Sequence, residues 1–198
     1  MDALPFTAQL INVFAAVLLL LSFAMLAQRR ILSLVDLLAW QGAALVGSTL
    51  AVAYSTGQQH LYYSAALTLA LKVILVPLVL HRLIRRLAVR WDTEPLLNIP
   101  ATMIVGLALV VFSFGLAQPI SALASTVTRS TLGIAIAVVM LSFLMMITRR
   151  KAISQVAGYL MLENGIYVFG LLLYQSMLVE VGVLLDRDMP AWVFVGAA

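Results

Sequence analysis

The chain is written as long apolar runs cut by short polar punctuation. Within the runs apolar and polar residues do not alternate, which argues against a transmembrane β-barrel. A hydrocarbon core about 30 Å thick takes about 20 apolar residues of helix. Backbone in lipid must also satisfy its own hydrogen bonds, which leaves helices as the spanning element. Runs of suitable length predict seven spans, at 8–27, 32–54, 61–81, 99–117, 130–148, 152–174 and 177–196. The expected fold is all-α: a polytopic transmembrane helical bundle of about seven helices, or six if the last one breaks. It divides into a first triplet with a basic end (1–90), a linker with the fourth span and an outer loop (91–129), and a second triplet (130–198). The linker 91–100 is the one real shift of composition, and its Pro100 suits the first turn of the fourth span, where a missing N–H costs nothing. The stretch 118–129 reads as a partly helical outer loop.

Composition supports lipid as the solvent. The 198 residues are 64% hydrophobic and 10% charged, and mean hydropathy is +1.09. A soluble domain is about half apolar and about a quarter charged. With Asp2 at the start and no basic n-region, the N-terminus does not read as a cleavable signal. The net charge is +4, yet the basic residues sit at helix ends rather than on one patch, so no nucleic-acid partner is expected. Arg29 and Arg30 follow the first span, Arg82, Arg85, Arg86 and Arg90 the third, and Arg149, Arg150 and Lys151 the fifth. With seven spans all three clusters fall on one side, which the positive-inside rule makes cytoplasmic. The N-terminus is then outside and the C-terminus inside.

The same clusters suggest an internal repeat. Arg29-Arg30 precedes a span containing Gln41-Gly42, and Arg149-Arg150 precedes a span containing Asn164-Gly165. Each is followed by a span with a central charge. The first three and last three spans would be parallel repeats, a common feature of transport folds; chance recurrence of double arginines at cytoplasmic ends is the alternative.

No nucleotide-binding loop, zinc-protease motif or serine-nucleophile motif occurs. There is no cysteine, and His60 and His81 lie too far apart for a ligand pair. No catalytic residue and no metal site are expected in this chain. The chemistry to explain is instead the charge placed inside apolar runs. Lys72, Glu163 and Asp186 each interrupt a run near its centre. Insertion scales set the cost of such a residue at about 2.5–3.5 kcal/mol. The cost is tolerated where the group faces a counter-charge, a protein interior or a wet path.

Lys72 lies too deep to reach an interface comfortably, and Pro77 five residues on is expected to kink the helix beside it. The residue reads either as a proton carrier or as half of a structural ion pair. Glu163 sits where burial and a nearby ammonium act in opposite senses, a poise suited to proton exchange; the alternative is a neutral packing hydrogen bond. Asn164 and Gly165 beside it suit close helix approach and interhelical bonding. Glu180 and Asp186 are six residues apart, off a common helix face. Asp36 is one turn inside the end of the second span, near Arg29 and Arg30, and reads as a surface ion pair or as the mouth of a half-channel. His60 and His81 are interfacial, with a proton relay as the sharper alternative.

These residues carry a resemblance. The stretches Leu71-Lys72-Val73-Ile74-Leu75-Val76-Pro77, Arg149-Arg150, Gly158-Tyr159-Leu160-Met161-Leu162-Glu163-Asn164-Gly165 and Leu178-Val179-Glu180-Val181-Gly182-Val183-Leu184-Leu185-Asp186 resemble component E of hydrogenase-4. That family comprises membrane subunits of formate hydrogenlyase-type, group 4 NiFe hydrogenase complexes. The order and hydropathy of the spans across 1–186 are similar too. The resemblance implies a subunit like the K subunit of respiratory complex I, whose glutamates lie on a central hydrophilic axis. Glu163 would match one axis carboxylate, Glu180 or Asp186 would stand near the other, and Lys72 would take the corresponding place in the first triplet. It also implies a bacterial inner-membrane location between antiporter-like membrane subunits and the membrane anchor of a hydrogenase module. The NiFe centre and iron–sulfur clusters would belong to those partners, with no cofactor in this chain. The likeness ends after Asp186, where the family continues with an apolar helix and this chain reads Arg187-Asp188-Met189-Pro190.

The expected function is a non-catalytic, ion-path subunit of an energy-converting redox complex, moving protons or another cation. A stand-alone secondary transporter and a structural membrane spacer are the competing classes.

Overall fold

The computed structural model describes residues 6–57, 59–87, 98–121 and 126–188. Seven α-helices account for nearly all of them: α1 (Phe6–Ala27), α2 (Ile31–Thr56), α3 (Gln59–Thr68), α4 (Val76–Leu87), α5 (Ile99–Ser121), α6 (Thr126–Thr148) and α7 (Ala152–Asp188). A π-helical turn, Leu69–Leu75, joins α3 to α4, so that Gln59–Arg86 forms one span. The described residues contain no strand and six segments long and apolar enough to cross a membrane.

Helices α1, α2, α7 and α6 form the centre, each packed on the next around a ring. The α3–α4 span lies against α2, and α5 against α6 and α1. Buried Met25, Leu26, Leu34, Leu141, Met145 and Met161 make one apolar cluster shared by the central helices. A side-chain bond from Thr131 to Asn12 (2.8 Å) ties α6 to α1.

At the basic end, the turn after α6 grips the end of α1. Arg149 is 2% exposed, and its Nη2 donates to the carbonyls of Leu26 (2.7 Å) and Gln28 (2.8 Å). Carbonyls at a helix C-terminus lack intrahelical donors, so the guanidinium supplies what the fold requires there. Burial holds the Arg149 pKa below the ordinary arginine value. Asp36 of α2 meets His81 of α4 at the same end, so the polar ends of the first, third and fifth spans lie together.

Several expectations change. The break between 174 and 177 is absent: α7 runs on through both segments as 37 residues, because no proline interrupts it before Pro190. At 1.5 Å per residue it is about 55 Å long, against about 30 Å of hydrocarbon. The part of the seventh span at 189–196 lies outside the described residues. So do 88–97, which hold Arg90 and most of the linker, and 122–125 of the outer loop. That loop is shorter than 118–129, since α5 reaches Ser121 and α6 starts at Thr126. Pro100 falls in the first turn of α5. The irregularity expected at Pro77 lies before it, in the π turn. In α register the proline ring would crowd the Val73 carbonyl. Widening the turn relieves this, and Val76 N–H bonds to the Leu71 carbonyl, five residues back.

Candidate functional site

Lys72 stands on the π turn and Glu163 midway along the membrane-capable part of α7. Their side chains pair across the interface, Nζ to Oε1 at 3.2 Å. The pairing depends on a close approach of the backbones. A Cβ added to Gly42 of α2 would lie 3.3 Å from Lys72 Cβ and 3.2 Å from Val73 Cγ2. Any larger residue there would push the π turn outward. On the other side, a Cβ at Gly165 would meet Val139 Cγ2 at 3.0 Å and the Val139 backbone nitrogen at 3.2 Å. That glycine brings α7 against α6.

The pair is asymmetric. The Lys72 side chain is 17% exposed and that of Glu163 49%. Lysine therefore belongs to the interior and glutamate to the rim. The rim is an open groove of about 420 Å³ between the α3–α4 span and α7, with Ser64, Thr68, Lys72, Glu163 and Tyr167 set among leucines. Lys72 Nζ lies 5.8 Å from the centre of the Tyr167 ring, within range of a cation–π attraction. The Tyr167 hydroxyl bonds with Ser64 (2.9 Å) and accepts from Thr49 (3.4 Å).

Inward from Lys72 the polar contacts continue. Lys72 donates to Asn164 Oδ1 at 2.8 Å, Asn164 Nδ2 to Gln41 Oε1 at 3.3 Å, and Gln41 Nε2 to Ser22 Oγ at 2.8 Å. The amide–glycine pairs Gln41-Gly42 and Asn164-Gly165 thus meet each other at the bundle centre. A small cavity of about 10 Å³ beside Lys72 and Asn164, closed by Leu38, Val76 and Leu160, has room for about one water.

The remaining sequence candidates lie elsewhere. Asp36 pairs with His81 Nε2 at 3.6 Å, toward the basic end, and His81 Nδ1 contacts the Pro77 carbonyl at 2.9 Å. His60 lines a separate opening of about 300 Å³ with Tyr167 and Gly170. Glu180 and Asp186 are in α7, seventeen and twenty-three residues beyond Glu163. By helical rise they are about 25 and 35 Å from it, so they do not join the pair. Their side chains lie outside the described residues. Among the described residues no cluster of metal-ligating side chains occurs.

Sequence reasoning passed over Ser22, Thr49, Ser64 and Tyr167. One signal for Ser22 was available. Ser22-Phe23-Ala24-Met25 and Ser142-Phe143-Leu144-Met145 stand at the same distance before Arg29-Arg30 and Arg149-Arg150. Both serines bond to the carbonyl four residues back, Leu18 at 2.7 Å and Val138 at 2.6 Å.

Comparison with known proteins places this architecture. The uncharacterized protein Rv0085 of Mycobacterium tuberculosis (strain ATCC 25618 / H37Rv) is 33% identical over 180 residues, covering 89% of this chain and 82% of the relative. The chain belongs to the Rv0085 family. This Rv0085-family chain is also similar to hydrogenase-4 component E of Escherichia coli (strain K12), at 30% identity over 141 residues. That match covers 70% of this chain and 64% of component E, so less than two thirds of the relative's length is spanned. Component E of Shigella flexneri matches to the same extent. No family model matches the chain, and no solved structure does.

Proposed function

We propose that this chain is a non-catalytic membrane subunit of an energy-converting, hydrogenase-like redox complex, and that Lys72 and Glu163 contribute to its proton or cation path. The observation that carries the reading is the ion pair at mid-depth, with its carboxylate opening onto a lateral groove. A half-exposed carboxylate facing acyl chains is costly. A neighbouring protein or a hydrated path along the groove removes that cost. The similarity to hydrogenase-4 component E supports the kind of complex. Antiporter-like subunits and the membrane anchor of a hydrogenase module are the expected neighbours, and any NiFe centre and iron–sulfur clusters would be theirs. The basic ends face the cytoplasm on the positive-inside rule, in a bacterial inner membrane. Asp36 with His81 stands on the cytoplasmic approach to Lys72, while Glu180 and Asp186 would act, if at all, at a separate point along α7.

A structural spacer is the second reading, favoured by how fully Lys72 is bonded: to Glu163, to Asn164 and against Tyr167. Replacing Glu163 by Gln separates the two. Loss of ion flux in membrane vesicles, with the complex still assembled, is expected; unchanged flux would leave the spacer. Copurification tests the subunit reading itself: large membrane partners are expected, and recovery of the chain from native membranes without any of them would refute it.

A further inference from the structure

The polar contacts inward from Lys72 form a chain whose direction follows from chemistry. A lysine ammonium carries donors only. The atom of Asn164 that meets Nζ at 2.8 Å must therefore be the carbonyl oxygen. The Asn164 nitrogen then faces away and needs an acceptor, which is Gln41 Oε1. With its oxygen so used, Gln41 turns its nitrogen to Ser22 Oγ and the Leu18 carbonyl (3.5 Å). Ser22 in turn gives its hydroxyl proton to the Leu18 carbonyl. Each donor points from the π turn toward α1. Gln41 and Ser22 are fully buried and Asn164 is 2% exposed, so solvent offers no substitute partner.

We propose that Gln41 is a positioning residue for the ion path. It holds Asn164 in the one orientation that offers Lys72 an oxygen, and so aims the ammonium at Glu163 and the groove. Without an acceptor at position 41, Asn164 loses the bond that orders it and can turn its own donors toward the ammonium. The chain also closes the path on the α1 side. Side-chain amides have no titrating proton to pass on, so a proton held by Lys72 leaves on the groove side, where Glu163 stands. Among the described contacts, the ionisable groups facing Lys72 are Glu163 and Tyr167 of α7; α2 contributes the neutral Gln41. His81 and Asp36 form the next ionisable pair, toward the basic end. This proposal rests on the ion-path reading above.

The test compares Gln41→Met, which keeps length and apolar volume without a comparable acceptor, with Gln41→Glu, which keeps the acceptor. Ser113→Ala serves as a control for loss of a buried hydroxyl on α5. Two measurements are made. The first, on the labelled full chain in lipid bilayers, is the magnetic dipolar coupling between Lys72 Nζ and Asn164 Cγ. The second is ion flux, over a range of pH, in vesicles carrying the native complex. In Gln41→Met the coupling should fall severalfold, and flux should drop about tenfold with a displaced pH profile, the scale set by a hydrogen bond to a charged group. Gln41→Glu and Ser113→Ala should keep the coupling. An unchanged coupling in Gln41→Met overturns the proposal, as does loss of coupling with flux and pH profile untouched. If Gln41→Met does not fold, loss of coupling in a folded Gln41→Glu overturns it as well. The ion-path reading fails separately, through unchanged flux in Glu163→Gln.

Discussion

Arg149→Met is the substitution whose cost follows most directly from the geometry. The side chain is 2% exposed and gives two short bonds to carbonyls at the end of α1. Hydrogen bonds from a charged donor contribute about 1.5–3 kcal/mol each. Removing the donor leaves carbonyls unpaired, at about 1–3 kcal/mol per buried group. Against this, methionine also removes the desolvation of a buried cation, a cost of several kcal/mol. The expected balance is a loss of about 2–4 kcal/mol. Arg149→Lys should keep the charge but not the planar fork, and lose about half as much. The control is built into the sequence. Arg150 is adjacent and exposed; Arg150→Met deletes the same charge from the same loop, so it alters insertion bias equally, and should cost less than about 0.5 kcal/mol. The assay is equilibrium unfolding of the purified full chain in one detergent, followed by circular dichroism. Coincident transitions for Arg149→Met and Arg150→Met would refute the clamp and leave only a topogenic role for both arginines.

Four further outcomes are expected. Lys72→Met should destabilise the chain by about 1–3 kcal/mol, less than a fully buried broken pair because Glu163 is half-exposed; adding Glu163→Gln should recover part of it in the same unfolding assay. Gly165→Ala should cost about 1–3 kcal/mol, since the new methyl meets the Val139 backbone as well as side chains. Gly115→Ala, in open space on α5, should instead stabilise by about 0.8–1 kcal/mol through helix propensity. Asp36→Asn should move the transition by less than about 1 kcal/mol, because both partners of its contact with His81 are substantially exposed.

The spans were readable because lipid imposes one strong rule, a length of apolar helix. The basic clusters implied that the ends of the first, third and fifth spans share one side, and the structure gathers those ends together. Lys72 and Glu163 were conspicuous because an ionisable group in an apolar run is costly and needs a partner or water to hold it there. What stayed hidden was pairing. Nothing in the string of residues says that Gln41 meets Asn164, since an amide costs less in a helix than a charge and stands out less. Ser22 was harder still: a serine that bonds its own helix is unremarkable until a second donor arrives from α2. The division of 152–188 into two spans failed for a different reason. Length was used to place a break where the backbone has no proline to make one.

The π turn at Leu69–Leu75 has a consequence for how this span can be altered. Such a turn holds more residues than an α turn of the same function, and each residue of an α-helix rotates its face by about 100°. Deleting one position inside this segment can therefore be absorbed by tightening to α geometry once Pro77 is also replaced, since its ring would otherwise meet the carbonyl four residues back; Leu61 and Ile84 on either side then still face inward. The same deletion in the middle of α2 would swing one half of that helix by more than a quarter turn. Laboratory shortening of the protein should be best tolerated in this turn, provided that Pro77 is exchanged together with the deletion.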